Sequence, residues 1–458
     1  MLSTPASVAQ QDYWRTTVGD FDGDGDADIL GLKLLGGTLQ ALRNDGRGRF
    51  TALPPLTLPG GGLSPPILCP LDADGDGDLD FLLTGASQTA SLWLNNGAMA
   101  FAMGPPLPLT NNIGQTIAAD LDGDGDIDLA LAGSALASTH DRVLVNDGTG
   151  TFSLGPVLTF LPFGGGIVAS GDVDNDGDVD LLFTEASMRL FRNDGGLTFT
   201  ETTATNVLVP PQVIREIVPS DLDGDGDVDF LLRADGANDR VVINQNGVLT
   251  AGTNLPPKNP TNSISVADVD GDGDLDAMRG HDIAGISLAL NDGTGQFADA
   301  PTRLPQQVVF SSDVQLADLD RDGDPDLVTS LRISPTLILR NRDVDLEATD
   351  ARIGQTWSAT LRCRPGYASQ PHPALLVVGL AALPQPLSLP LGEWFVDPAT
   401  PTAQSSGVIA VATGAQTFSF AVPNAPSIVG VSLEVQGLVD RAPGPARISA
   451  WQTVTIQQ

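Results

Sequence analysis

Lysine is nearly missing from this chain: Lys33 and Lys258 are the only two, and the other 21 basic residues are arginines. Against those 23 bases stand 57 acids, a net charge of −34. A surface with no basic patch cannot neutralise phosphates, so nucleic acid is excluded as a partner. Two cysteines, Cys69 and Cys363, exclude a disulfide-dense scaffold. They fall in different composition zones and read as buried free thiols. No apolar run is long enough to span a bilayer. The stretch MLSTPASVAQQDYW has neither a basic nor an apolar leader segment. Histidine occurs three times (His140, His281, His372), never close to another in a motif. No nucleophile elbow, zinc signature or phosphate loop is present, so the chain does not read as an enzyme.

What the chain has in excess is aspartate, in one arrangement. Asp-x-Asp-x-Asp-Gly-Asp-x-Asp occurs seven times, with starts 47 to 52 residues apart. The first copy holds Asp20, Asp22, Asp24, Asp26 and Asp28; the second Asp72, Asp74, Asp76, Asp78 and Asp80. The third holds Asp120, Asp122, Asp124, Asp126 and Asp128; the fourth Asp172, Asp174, Asp176, Asp178 and Asp180. The fifth holds Asp221, Asp223, Asp225, Asp227 and Asp229; the sixth Asp268, Asp270, Asp272, Asp274 and Asp276. The seventh holds Asp318, Asp320, Asp322, Asp324 and Asp326. Without these 35 aspartates the chain has 22 acids and 23 bases, so the acidity belongs to the loops.

Five carboxylates on nine residues repel one another unless a cation screens them. Alternate side chains on a loop that turns sharply at a glycine can wrap a hard cation with oxygen alone. Positions 1, 3, 5 and 9 are expected to offer carboxylates, and position 7 its backbone carbonyl. The side chain at position 7 is then free for hydrogen bonds around the site. Position 4 varies (Asn175, Arg321) and reads as outward-facing. About seven calcium ions, one per repeat, are the expected cofactors, and they would tie the structure together.

A fixed period near 50 residues means one supersecondary unit per repeat. Each unit reads as four strands: A, the Asp loop, B, a connection, C, an Asn-Gly turn, and D. Strand C ends in sequences such as ALRNDG (41–46) and LWLNNG (92–97), which are hairpin signals. A phenylalanine opens strand D at Phe50, Phe101, Phe152, Phe199 and Phe297. Strand C is apolar at consecutive positions, as expected for a sheet covered on both faces. Four-stranded sheets repeated radially predict an all-β, seven-bladed β-propeller over residues 1–346. A β-solenoid fits less well, because its coils are shorter. The seventh repeat lacks the turn glycine and the phenylalanine. Its fourth strand comes either from Val344 to Glu347 or from Ser7 to Gln11, which would close the ring. From residue 347 the repeat stops. Apolar β-like runs separated by Pro and Gly predict a small β-sandwich over 347–458.

The loop DFDGDGDADIL (20–30) and the tail NDGTGTF (146–152) resemble FG-GAP/VCBS repeats, the blade unit of integrin α-chain heads and many secreted bacterial proteins. The resemblance covers residues 14 to about 346. It implies a seven-bladed propeller with calcium loops between strands A and B. Members include adhesion heads, a fungal lectin class and polysaccharide lyases on related propellers, so the fold alone does not set the activity.

In an up-and-down blade the Asp loops and Asn-Gly turns share one face. The B–C and D–A connections share the other, which is expected to bind ligand. The expected function is that of a secreted, extracellular or cell-surface, calcium-stabilised adhesion propeller that recognises a glycan or surface protein. A leader would have been removed and Met1 added. The alternatives are a structural component of a surface layer, appendage or matrix, self-assembling through the C-terminal domain, and a polysaccharide lyase using Arg, Tyr13 or His. Tyr13 and Trp14 are read as candidates for exposure on the loop face and Trp93 as core. His140 and His281 are read as solvated loop residues.

Overall fold

The computed structural model describes residues 6–7, 13–33, 37–58, 67–84, 90–109, 115–132, 141–158, 166–184, 188–203, 213–235, 238–257, 260–282, 285–301, 304, 310–331, 336–341 and 344–348. Beyond these it describes 355–363, 372–379, 382–389, 392–396, 402–409, 415–421, 432–439, 447–448, 452–455 and 457. Among the described residues there is no α-helix.

Each Asp loop joins two antiparallel strands, and in each blade A, B, C and D follow in order across the sheet. Blade 1 runs Arg15–Gly19, Asp28–Leu32, Thr38–Arg43 and Thr51–Ala52, with Leu56–Thr57 also on strand C. Blade 5 runs Ile214–Ser220, Asp229–Ala234, Arg240–Gln245 and Val248–Asn254. The A strands of successive blades touch one another all the way round, and the last, Ser311–Ala317, returns to the first. That contact order defines a closed ring of seven blades.

Strand B is buried along its length in every blade but the fifth, where Arg233 alone is partly exposed, because it is covered by the blades on either side. The core is accordingly seven apolar seams rather than one centre. Leu182, Leu190 and Ala169 of blade 4 pack on Ile217, Phe230 and Leu232 of blade 5. At the blade 1–2 seam Phe81 stacks on Trp93 with ring centroids 5.9 Å apart, and Phe101 meets Phe81 edge-on. Trp93 is core, as its alignment with Leu42 and Leu144 predicts.

The seventh blade takes its fourth strand from the other end of the domain. Ala6 pairs with Ile338 and Ser7 with Leu337. Val344–Ala348, the other candidate, pairs instead with Thr356–Cys363, Val344 opposite Cys363. Those strands and Ala415–Ala421 form one sheet. In a second sheet His372–Gly379 lies between Thr402–Ile409 and Ser432–Val439. Trp357 and Phe418 are buried on the first.

Candidate metal centres

Every Asp loop folds around its own first carboxylate. The Oδ2 atom of position 1 accepts the N–H of the position 6 glycine in all seven loops, at 2.8–3.1 Å. That glycine has φ between 85° and 102°. A side chain there would meet few neighbours, so glycine is required for its backbone conformation rather than for space. The position 5 carboxylate accepts the N–H of position 7, at 2.9–3.1 Å.

Position 9 opens strand B and is fully buried in each blade, at 0–1 % exposure. Its Oδ2 accepts the N–H of position 2, which closes the loop. Its Oδ1 accepts the backbone N–H of the asparagine at the end of strand C, at 2.6–2.9 Å.

That asparagine does more than shape a hairpin. Its side-chain amide donates to the position 2 carbonyl of the preceding blade's loop, at 2.6–2.8 Å, in all seven blades. Asn95 thus reaches Phe21, Asn146 reaches Ala73, and Asn44 closes the circle on Leu319. Each loop is bolted to its own blade by position 9 and to the next by an asparagine. The sequence signal for this was present in the Asn of every strand C, where it reads equally as a turn former.

The carboxylates converge. In loops 1 to 4 one oxygen each from positions 1, 3 and 9 lies within 4.8 Å of the others: Asp20, Asp22 and Asp28 in the first loop. In loop 5 the cluster is Asp221, Asp223 and Asp225. The Oδ1 atoms of Asp22, Asp74, Asp174 and Asp223, all position 3, are buried and accept no hydrogen bond. A buried carboxylate oxygen with nothing donating to it is costly unless a cation completes it. The set is all oxygen, which suits a hard divalent cation. Burial pushes Asp28 and Asp276 up to about 7 and Asp80, Asp128, Asp180 and Asp229 up to about 6, with neighbouring aspartates adding to the shift and backbone N–H donors opposing it. The residues present therefore fit a bound cation, which would relieve both the repulsion and the orphaned oxygens.

Position 7 turns its side chain to the C–D turn. The Asp26, Asp78, Asp126 and Asp274 carboxylates press on Gly46, Gly97, Gly148 and Gly293, where an added Cβ would lie 2.5–2.7 Å away. The Asp loops and Asn-Gly turns do share one face. Position 4 departs from expectation in two loops. Asn175 donates to Asp227 of the next loop at 2.6 Å, and Arg321 reaches the Asp24 carbonyl at 3.0 Å and pairs with Asp26. Position 4 holds a positive φ in all seven loops, glycine in five of them, and in these two a side chain at that place reaches the next blade.

Other expectations need correction. Tyr13 is 1 % exposed, with its ring against Gly31 in the blade 7–1 seam, so it serves no surface cleft. Trp14 is half-buried. His281 is fully buried at the end of strand B, 2.7 Å from Ser287 Oγ and 3.3 Å from the Pro260 carbonyl, and is not a solvated loop residue. His140 and most of the D–A loops, such as 59–66 and 159–165, lie outside the described residues. Cys69 is a free thiol, half-buried against the blade 2–3 seam.

Sequence reading also missed a charged layer at the axis. Five residues before each Asp loop, strand A carries Arg15 in blade 1, Glu216 in blade 5, Ser263 in blade 6 and Asp313 in blade 7. Asp313 accepts from the Thr16 N–H at 2.9 Å and from Ser263 Oγ at 3.1 Å. Glu216 pairs with Arg233 at 3.0 Å. Burial pushes Glu216 up to about 7, against the pull of Arg233 and Arg15, and Asp313 also rises, with Arg15 opposing. Blades 5 and 7 are not adjacent, yet Asp313 and Arg15 both act on the charge of Glu216, so these groups share one electrostatic layer at the ring's centre. Aligning the repeats by their Asp loops would have exposed the layer.

A search among curated proteins found no match. A model of the FG-GAP-like repeat matches residues 20–83, 72–131, 120–183, 172–232, 221–278 and 280–329. Apart from the last, each match runs from one Asp loop through the strand B beyond the next, the span over which asparagine bolts successive blades. With these matches covering well over half its length, the chain belongs to the FG-GAP-like repeat family.

Proposed function

We propose that this chain is a secreted, calcium-stabilised binding propeller that recognises a glycan or a cell-surface protein through the face of the B–C and D–A connections. The observation that carries this reading is the difference between the two faces. On the loop face of the aspartates, the polar groups are committed to one another and to a cation. At the opposite end of strand A, roughly 16 Å away at about 3.3 Å per residue, Arg15 and Glu216 stay partly exposed near the axis with half-buried Trp14, above a buried Asp313. A carboxylate that accepts and a guanidinium that donates suit hydroxyl-rich or mixed-charge ligands.

Calcium is the proposed cation because oxygen-only loops of this kind tolerate six to eight ligands, where magnesium demands a tighter octahedron. Open loops of this type commonly require near-millimolar calcium, which supports an extracellular setting. The C-terminal strands are read as a β-sandwich that attaches the propeller. Non-enzymatic binding is favoured by the burial of Tyr13 and His281, two of the groups a lyase would use. The test is a broad glycan array in millimolar calcium, with a chelated control and Arg15→Ala alongside. Calcium-dependent hits lost in the variant support the axial face as the site. A blank array contradicts glycan recognition and directs the search to protein partners or self-assembly.

A further inference from the structure

The seven loops share their aspartates but not their surroundings. In blades 1, 4 and 7 the residue before the strand C asparagine is arginine: Arg43, Arg192 and Arg340. The equivalent residues of the other four blades are Leu94, Val145, Ile243 and Leu290. Each arginine faces the position 3 carboxylate of its own loop. Arg340 lies 2.6 Å from Asp320, Arg192 lies 3.2 Å from Asp174, and Arg43 lies 3.9 Å from Asp22. The first pair is the more buried and the last the most exposed, with Arg43 at 53 %.

Two of these guanidiniums also cross the seam. Arg192 donates to the Gly247 carbonyl in the turn of blade 5, at 2.6 Å. Arg340 donates to the Arg47 and Gly48 carbonyls in the turn of blade 1, both at 2.8 Å. A cation at the loop and a guanidinium beside it compete for the same negative charge. The guanidinium is fixed by its bonds to the neighbouring turn and cannot withdraw without breaking them.

We propose that the seven cation sites fall into two affinity classes set by this arginine. Blades 2, 3, 5 and 6 bind tightly. Blades 4 and 7 bind weakly, because a guanidinium already neutralises position 3 and ties it across the seam. Blade 1, whose arginine is distant and exposed, lies between them. The inference rests on the reading of the loops as calcium sites. It gives the ring two seams, 4–5 and 7–1, that are held by arginine when calcium is scarce. Asn175 and Arg321 reinforce the same two seams.

The test is calcium binding to the stripped full-length chain, followed by native mass spectrometry and calorimetry with calcium chloride alone. The expected result is four ions bound first, with the weakest sites filling at roughly tenfold higher calcium, the factor that about 1.4 kcal/mol of charge competition produces. Arg192→Leu restores the residue type of blades 2 and 6 and should raise the tight count from four to five. Leu94→Arg should lower it to three. Far-UV circular dichroism establishes that each variant is folded, and the opposite directions of the two changes separate charge from general damage. Seven equal sites, or variants that leave the tight count unchanged, overturn the two classes while leaving calcium binding intact. No calcium binding at all overturns both this inference and the reading beneath it.

Discussion

The asparagine that ends strand C carries more of this fold than its size suggests. Its backbone N–H serves the buried carboxylate of its own blade and its amide serves the carbonyl of the blade before. An alanine at Asn95 leaves the Phe21 carbonyl without its buried donor. Loss of one such bond costs about 1–3 kcal/mol, so Asn95→Ala should lower the unfolding free energy by at least that amount, read by urea titration in saturating calcium. The exposed neighbour Asn96→Ala should change it by less than about 0.5 kcal/mol. The aspartate positions were legible because their chemistry and spacing are local. The asparagine's second bond was not, because its partner lies 69 to 74 residues away in blades 2 to 7 and 275 away in blade 1. His281 escaped for a different reason: it is the last residue of strand B rather than part of the connection, and Ser287 of strand C and the Pro260 carbonyl just ahead of strand A cover it.

At the scale of the loop and the blade, calcium and protons compete for the same buried carboxylates. Without metal, burial pushes the position 9 aspartates of blades 1 to 6 up to about 6 to 7 in the folded chain, against an ordinary value of 3.8, and Asp326 of blade 7 also rises. Between about pH 4 and 7 the folded state then holds more protons than the unfolded one, so its stability falls as pH rises through that window. The metal-free protein should therefore melt at a higher temperature at pH 5 than at pH 7.5. Saturating calcium should abolish or reverse that slope, because the cation binds the deprotonated form. Differential scanning calorimetry at several pH values, with and without chelator, reads both slopes. The repeat made blades and strand order legible in the sequence. It left the seventh blade's last strand open between two segments, since both are short and neither carries the repeat's own markers. The pairing of Ala6 and Ser7 with strand C decides it. Removing residues 1–8 should loosen the 7–1 seam, seen as faster amide exchange in Leu337–Leu339 with little change in Leu190 or Leu232.

For the whole molecule, the ring closes because seven equivalent seams each bury apolar side chains, and the charge of −34 is confined largely to the rim of Asp loops. The axial layer of Arg15, Glu216 and Asp313 escaped sequence reading because each residue alone is an ordinary charge on a strand, and only closure of the ring brings them together. The central claim is that cations in the Asp loops hold this ring. The most direct measurement is the melting temperature of the intact chain at pH 7.5 in millimolar calcium and after chelation. A site filled a hundredfold above its Kd contributes about 2.7 kcal/mol, and several such sites predict a fall of roughly ten degrees or more on chelation, restored when calcium is returned. An unchanged melting temperature would contradict the account.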